Sequence, residues 1–206
     1  MSEDKKPNHF YLVRHGETIN NREHRFSGWV DSPLTPEGLE PAQRVINKIK
    51  HLEISDIFSS DIGRAFITAY VVSRGIGFYS EIKRLPGLRE VNYGDAGNMP
   101  VKEAFSKYPG IDRDIAFVPP NGESLFQMQS RVFATVSYID SLYEGQNILL
   151  VSHSGVMSAL HSMHLGSNFG EHNAVYEYPH DSVWKFVFKD GSIQSFEEFG
   201  VTVNTP

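Results

Sequence analysis

Two apolar runs in this chain end abruptly on a histidine. Phe10-Tyr11-Leu12-Val13 leads into Arg14-His15-Gly16, and Ile148-Leu149-Leu150-Val151 leads into Ser152-His153-Ser154-Gly155. A neutral imidazole is a nucleophile at physiological pH, and a protonated one is a cationic hydrogen-bond donor. A third run, Asp56-Ile57-Phe58, passes through Ser59-Ser60-Asp61 to Arg64. Guanidinium groups are permanently charged forks that match phosphate oxygens. Taken singly, each residue has an ordinary explanation: histidines after strands are commonly structural, and surface arginines commonly form weak ion pairs. Together, two imidazoles and two guanidiniums repeated at strand ends point to the handling of a phosphate.

The elements that must position these groups follow from hydrophobic patterning. Short runs rich in β-formers predict strands at residues 9–13, 56–60, 78–85 and 147–151. Helices are expected from a Thr35 cap to about Leu52, from Ile62 to Ser73 behind an Asp61 cap, near residues 100–108, from Glu123 to Leu142, and from Gly155 to about Leu165. Residues 183–188 and 192–196, divided by Asp190-Gly191, predict a hairpin whose edge offers a route to a homodimer. Residues 18–35 and 86–122 read as long loops, which in compact domains are usually functional. Strands alternating with helices imply one α/β domain with a mostly parallel central sheet. In such sheets ligands bind beyond the carboxyl ends of the strands. That edge would carry both histidines, and the helix start at Ser154 and Gly155 would offer its amides to an anion.

Composition narrows the partners. The 206 residues, 40% hydrophobic, support one domain over residues 1–206 behind a polar tail of residues 1–8. A net charge of -6 argues against nucleic-acid and acidic-membrane binding, so attraction for an anionic substrate must be local. With no cysteine there is no disulfide, thiolate nucleophile or Cys-based zinc site. No signal-like or membrane-length apolar run is visible, and a cytoplasmic location is the expectation. His161, His164, His172 and His180 could suggest a metal, but only the first pair shares a helical face. Surface or packing roles are expected for them, with no metal and no cofactor.

Leu12-Val13-Arg14-His15-Gly16-Glu17-Thr18 resembles the signature of the histidine phosphatase superfamily, which includes the cofactor-dependent phosphoglycerate mutases. Residues 25–35, from Arg25-Phe26-Ser27-Gly28-Trp29 to Thr35, continue the likeness. Ser59-Ser60-Asp61 with Arg64-Ala65, Leu88-Arg89-Glu90 with Tyr93-Gly94, Asn121-Gly122-Glu123-Ser124 and Val151-Ser152-His153 complete it in order. An Arg-His-Gly string alone is weak; ordered blocks over residues 9–165 are specific. The resemblance implies a three-layer α/β/α fold of phosphoglycerate mutase type. It implies His15 as nucleophile, Glu90 as general acid and then base, and Arg14, Arg64 and a protonated His153 around the phosphoryl oxygens. Asn21, Ser27, Gly28 and Ser154 would line the substrate site.

The implied activity is hydrolysis of a small phosphorylated metabolite through a phosphohistidine. A phosphoglycerate mutase is the alternative enzyme, and a non-catalytic member binding phospho-ligands or a protein partner is the alternative of another class. Between Glu90 and His153 the chain has little spare length and only Lys102, Lys107, Arg113 and Arg131 as cations, which favours hydrolysis. Three departures stand out. Asp95-Ala96-Gly97-Asn98 replaces an acidic or small residue, a bulky apolar one and then Glu/Gln-Gly, so the loop presenting Glu90 is expected to be more open. Ser154 replaces a common Gly, and Asn20 an aromatic residue.

Overall fold

The computed structural model describes residues 5–167, 169 and 177–200. Its strands are β1 (Asn8–Arg14), β2 (Ile54–Ser59), β3 (Lys83–Arg84), β4 (Asn147–Ser152), β5 (Val183–Lys189) and β6 (Ser192–Glu198). Its helices are α1 (Ile19–Arg22), α2 (Glu40–Ile49), α3 (Gly63–Gly75), α4 (Val101–Lys107), α5 (Leu125–Ser141) and α6 (Ser154–Leu165). They build one sheet in the order β3-β2-β4-β1-β5-β6.

Alternation along the central strands creates three layers. Tyr11 and Val13 of β1, with Leu149 and Val151 of β4, pack against Val45, Ile46 and Ile49 of α2 and Ala69 and Val72 of α3. The intervening residues Phe10, Leu12, Ile148 and Leu150 meet Met128, Val132, Val136 and Ile139 of α5 and Val156 and Leu160 of α6. Successive strand side chains point to opposite faces, so both central strands are buried on both sides. Ala96, Ala104 and Ile111 form a smaller cluster with Phe26, Tyr93 and Phe117.

The sheet is mixed rather than mostly parallel. β3, β2, β4 and β1 run parallel, whereas β1–β5 and β5–β6 are antiparallel. The Asp190-Gly191 turn, with both residues at positive φ, reverses the chain at once and makes β5–β6 antiparallel, and this hairpin docks on the edge of β1 with β5 running against it. Strand β3 shrinks from the expected residues 78–85 to Lys83 and Arg84, since Tyr79 is 75% exposed and lies off the ladder. Helix α2 starts at Glu40, because the Thr35 hydroxyl donates to the Glu17 carboxylate (2.9 Å) instead of capping a helix. Nor does Asp61 cap α3. Its carboxylate pairs with Arg89 (2.6 and 2.7 Å), and Asp31 accepts from the Gly63 and Arg64 amides instead.

The chain leaves β1 toward α2 on one face and leaves β4 toward α6 on the other. Neighbouring strands whose connections diverge leave a crevice at their carboxyl ends. Among the described residues, no helix is long and apolar enough to cross a membrane.

Candidate active site

β1 and β4 are in register with Arg14 opposite Ser152, so His15 and His153 each stand one residue past the strand ends. Their ring centroids are 5.1 Å apart. Arg14, His15, Asn21, Ser27, Gly28, Arg64, Glu90 and Ser154 line one cavity of about 150 Å³, together with Arg25, Phe26 and Tyr93. Eight of the nine residues singled out in the sequence thus share its wall. His153 lies one layer behind them, fully buried.

His15 is held in one tautomer. The Gly16 carbonyl can only accept, so Nδ1 of His15 carries the proton and donates to it (2.7 Å). That leaves the lone pair on Nε2, which accepts from Arg64 Nε at 3.3 Å. Burial, reinforced by His153, Arg64 and Arg14, pushes the His15 pKa well below the usual 6.5. The imidazole is therefore neutral at neutral pH, the form in which its free nitrogen can act as a nucleophile.

Arg64, 1% exposed, is fixed by its whole fork. Nη1 donates to Val30 O (3.0 Å), and Nη2 donates to Gly28 O (2.7 Å) and to His153 Nδ1 (3.3 Å). Gly28 can present its carbonyl because its backbone adopts φ +54 and no side chain would fit against Val91 O. Since His153 Nδ1 accepts, its Nε2–H donates to Ser60 Oγ (2.9 Å). Burial and the nearby Arg64, Arg14 and Arg131 push the His153 pKa well below 6.5, so the expected protonated form is not the one this environment favours. A phosphate beside it would act in the opposite direction.

Glu90 is 8% exposed and sits against the start of α6. Its Oε2 accepts from Gly155 N (3.2 Å) and Ser154 Oγ (3.4 Å), and Oε1 accepts from Val91 N (2.9 Å). A Cβ on Gly155 would stand 2.0 Å from Oε1, so the carboxylate occupies space that only glycine leaves. The backbone carrying Glu90 is clamped as well: its carbonyl accepts from Trp29 Nε1 (2.9 Å) and Arg131 Nη2 (3.1 Å). The loop after Tyr93, expected to be open, is tied down. Asn98 N donates to Phe26 O (2.7 Å), Arg25 Nη1 to Asn98 O (2.8 Å), and Asn121 Nδ2 to Asp95 Oδ1 (2.9 Å).

Asn21 Oδ1 accepts from the Thr18 amide (3.1 Å) and hydroxyl (2.9 Å), which orients Asn21 at the cavity. Among the described residues, two buried polar atoms of lining residues, Arg14 Nε and Ser27 Oγ, make no hydrogen bond. Arg25 joins the wall, and Trp29, Asp31, Ser60, Arg131 and His180 support it, roles not assigned to them from the sequence, although Arg25, Trp29, Asp31 and Ser60 lie within the blocks that carry the family resemblance. His161 stacks on Phe196 (4.5 Å), His164 Nδ1 meets Ile193 O and His180 adjoins His15, so these three do not gather; His172 lies outside the described residues. Among the described residues, no three His, Asp or Glu side chains cluster as a metal site would require.

A crevice at diverging strand ends thus holds a neutral histidine between buried arginines, groups whose chemistry suits phosphoryl oxygens. The profile of the Histidine phosphatase superfamily (branch 1) matches residues 10–197. The chain belongs to that superfamily, whose members are phosphatases or mutases acting through a phosphohistidine. It is 35% identical over 161 residues to a "Probable phosphoglycerate mutase GpmB" of Escherichia fergusonii, covering 76% of this chain and 74% of that one. The solved structure of Bacillus stearothermophilus YhfR matches with a TM-score of 0.82 at 28% identity, over 97% of this chain and 98% of that one. A mycobacterial glucosyl-3-phosphoglycerate phosphatase shares the fold, with a TM-score of 0.81 at 21% identity over 96% and 100% of the two chains.

Proposed function

We propose that this chain hydrolyses phosphomonoesters through a phosphohistidine on His15. The observation that carries the proposal is one cavity wall shared by His15, Arg14, Arg64 and Glu90, with the His15 proton held on Nδ1 and its lone pair on Nε2. A phosphoryl group seated there would meet both guanidiniums while presenting phosphorus to the imidazole. Nε2 of His15 forms the N–P bond as the ester P–O bond breaks, and protonated Glu90 delivers its proton to the leaving oxygen. The Glu90 carboxylate then takes a proton from water as that water attacks phosphorus. The N–P bond breaks, and orthophosphate leaves with His15 and Glu90 restored. Arg14 and Arg64 stabilise the equatorial oxygens, which is the main demand of phosphoryl transfer.

Hydrolysis is favoured over mutase action because no cation between Glu90 and His153 lines the cavity. Arg113 pairs with Asp112, Lys107 lies over the Tyr108 ring, and Arg131 is committed to Glu123 and backbone carbonyls. The extra cation on the wall, Arg25, is engaged by Glu23 and Asn98 O. About 150 Å³ is small beside the roughly 300–1,000 Å³ of sites that enclose a drug-sized ligand. The cavity therefore suits a phosphoryl group with its ester extending outward, a small phosphorylated metabolite among the substrates.

The test is turnover of p-nitrophenyl phosphate with trapping of an acid-labile phosphoenzyme, alongside phosphoglycerate exchange primed by a bisphosphoglycerate. Turnover and trapping that are lost together in His15→Ala are expected. Exchange outrunning hydrolysis would make the chain a mutase, and silence across a phosphomonoester panel would make it a binding protein.

A further inference from the structure

The peptide between His15 and Gly16 is gripped from both sides. On one side the Gly16 amide donates to Thr68 Oγ1 (3.0 Å). On the other, the His15 carbonyl accepts from Nδ1 of His180, which must carry its proton because a carbonyl cannot donate. The two rings lie 5.7 Å apart. Two residues earlier, the carbonyl of Tyr178 accepts from Arg14 Nη1 (3.0 Å). The short segment before β5 therefore holds both the nucleophile and its neighbouring arginine, 165 positions away from His15 in the chain.

From this we infer that His180 is a positioning residue for the nucleophile, acting through the backbone. The inference rests on the phosphohistidine reading above. His180 and Thr68 fix the plane of one peptide, and that plane sets where the next carbonyl, Gly16 O, lies. Gly16 O in turn receives the Nδ1–H of His15 and so decides that the lone pair sits on Nε2, toward Arg64 and the cavity. A 1 Å error in aiming a reacting atom can cost about 100-fold in rate, so a remote backbone clamp can matter to catalysis. A neutral donor suits the place. Burial and the Arg14 charge push the His180 pKa down to about 4, and a permanent cation here would be repelled by Arg14. Asparagine, also a neutral N–H donor, is the conservative replacement.

The experiment compares His180→Ala and His180→Asn with the unaltered chain. For p-nitrophenyl phosphate, His180→Ala is expected to lower kcat by about 10- to 100-fold while KM and the inhibition constant of vanadate move less than about 3-fold. His180→Asn should recover most of the rate. Independently of turnover, long-range 15N–1H spectra should show His15 as one tautomer, protonated on Nδ1, in the unaltered chain and in His180→Asn, but as a mixture in His180→Ala. An unchanged kcat or an unchanged tautomer in a folded His180→Ala overturns the inference. So does a parallel loss of kcat, vanadate affinity and thermal stability that His180→Asn does not relieve, since that describes only a structural residue. If the unaltered chain shows no turnover while the spectra behave as expected, the hydrolase reading fails and the clamp on the His15 tautomer stands.

Discussion

Acidification from about pH 7.5 to about pH 5.5 should remove roughly 3 kcal/mol of folding stability through two side chains, His15 and His153. Both are buried, at 3% and 0% exposure, and both are held well below the ordinary 6.5 by burial and by the arginines around them. In the unfolded chain each protonates near 6.5; in the folded chain each stays neutral through this interval. The unfolded state therefore binds more protons, and stability is fully present above about 6.5 and lost as pH falls below it. One unit below the unfolded pKa, each such group costs about 1.4 kcal/mol, so the pair costs about 3 kcal/mol. His180, held at about 4, adds about 1.4 kcal/mol in the same direction, so the whole loss read by unfolding is about 4 kcal/mol. The acids with lowered values, Glu17, Glu37, Asp61 and Asp181, begin from 4.5 or 3.8 and add their losses at still lower pH. Urea unfolding in phosphate-free buffers at the two pH values measures the difference, with an unchanged m-value as the check on a common unfolded state. In His153→Asn the pH dependence should fall by about 1.4 kcal/mol. A stability that is flat across the interval would mean that the two imidazoles are not held neutral, and with it would fall the argument that His15 is ready to attack.

Glu90→Gln should lower kcat by about 100-fold or more on alkyl phosphates, and less on p-nitrophenyl phosphate, whose leaving group needs little protonation. Equal losses on both substrates would remove Glu90 from the acid role. Gly155→Ala places a Cβ 2.0 Å from Glu90 Oε1 and should lower kcat by at least about 10-fold with vanadate affinity nearly intact; unaltered kinetics would show that the carboxylate has room to shift. Inorganic phosphate at about 100 times its dissociation constant should raise unfolding free energy by about 2.7 kcal/mol, read as a higher Tm, and Arg14→Ala should reduce the effect.

Local signals exposed the parts of this site that strand ends control. Val13-Arg14-His15 and Val151-Ser152-His153 are buried runs cut off by polar residues, and a parallel register delivers both histidines to one edge. The sheet's outer strands were less legible. A parallel interior is a property of residues 8–152, but the antiparallel margin is decided by a hairpin finding the open edge of β1, a long-range choice that neither segment encodes alone. Helix starts failed where side chains had better partners at a distance. Thr35 is taken by Glu17 and Asp61 by Arg89, while Asp31, with no local mark of a cap, closes α3 from 32 residues away. His180 was expected to have a surface or packing role, and its contact with His15 is illegible for the same reason: its partner is a backbone carbonyl, and carbonyls carry no sequence.

The two properties the proposed reaction needs come from a single arrangement of charge. Arg14 and Arg64 are buried enough that desolvation lowers the pKa of each, yet neither has a carboxylate within close bonding distance among the described residues. The acid nearest to Arg64 in an ion pair is Asp31, 3.8 Å away and half exposed. Among the described residues, Arg14 Nη1 donates to a carbonyl, that of Tyr178. Glu90 shares the wall with both arginines and is the acid whose charge acts on each, while other acids of this chain of net charge -6 pair elsewhere, as in Glu17–Arg22–Glu37 and Arg44–Asp181 at the surface. Two buried guanidiniums beside one carboxylate make the cavity locally positive inside a negative protein, the field that the proposed reaction needs to draw in a phosphate dianion. The same two cations are among the causes that keep His15 deprotonated. Removing either charge should therefore weaken anion binding and make the nucleophile easier to protonate at once, so that substrate capture and nucleophile readiness cannot be tuned separately at these positions.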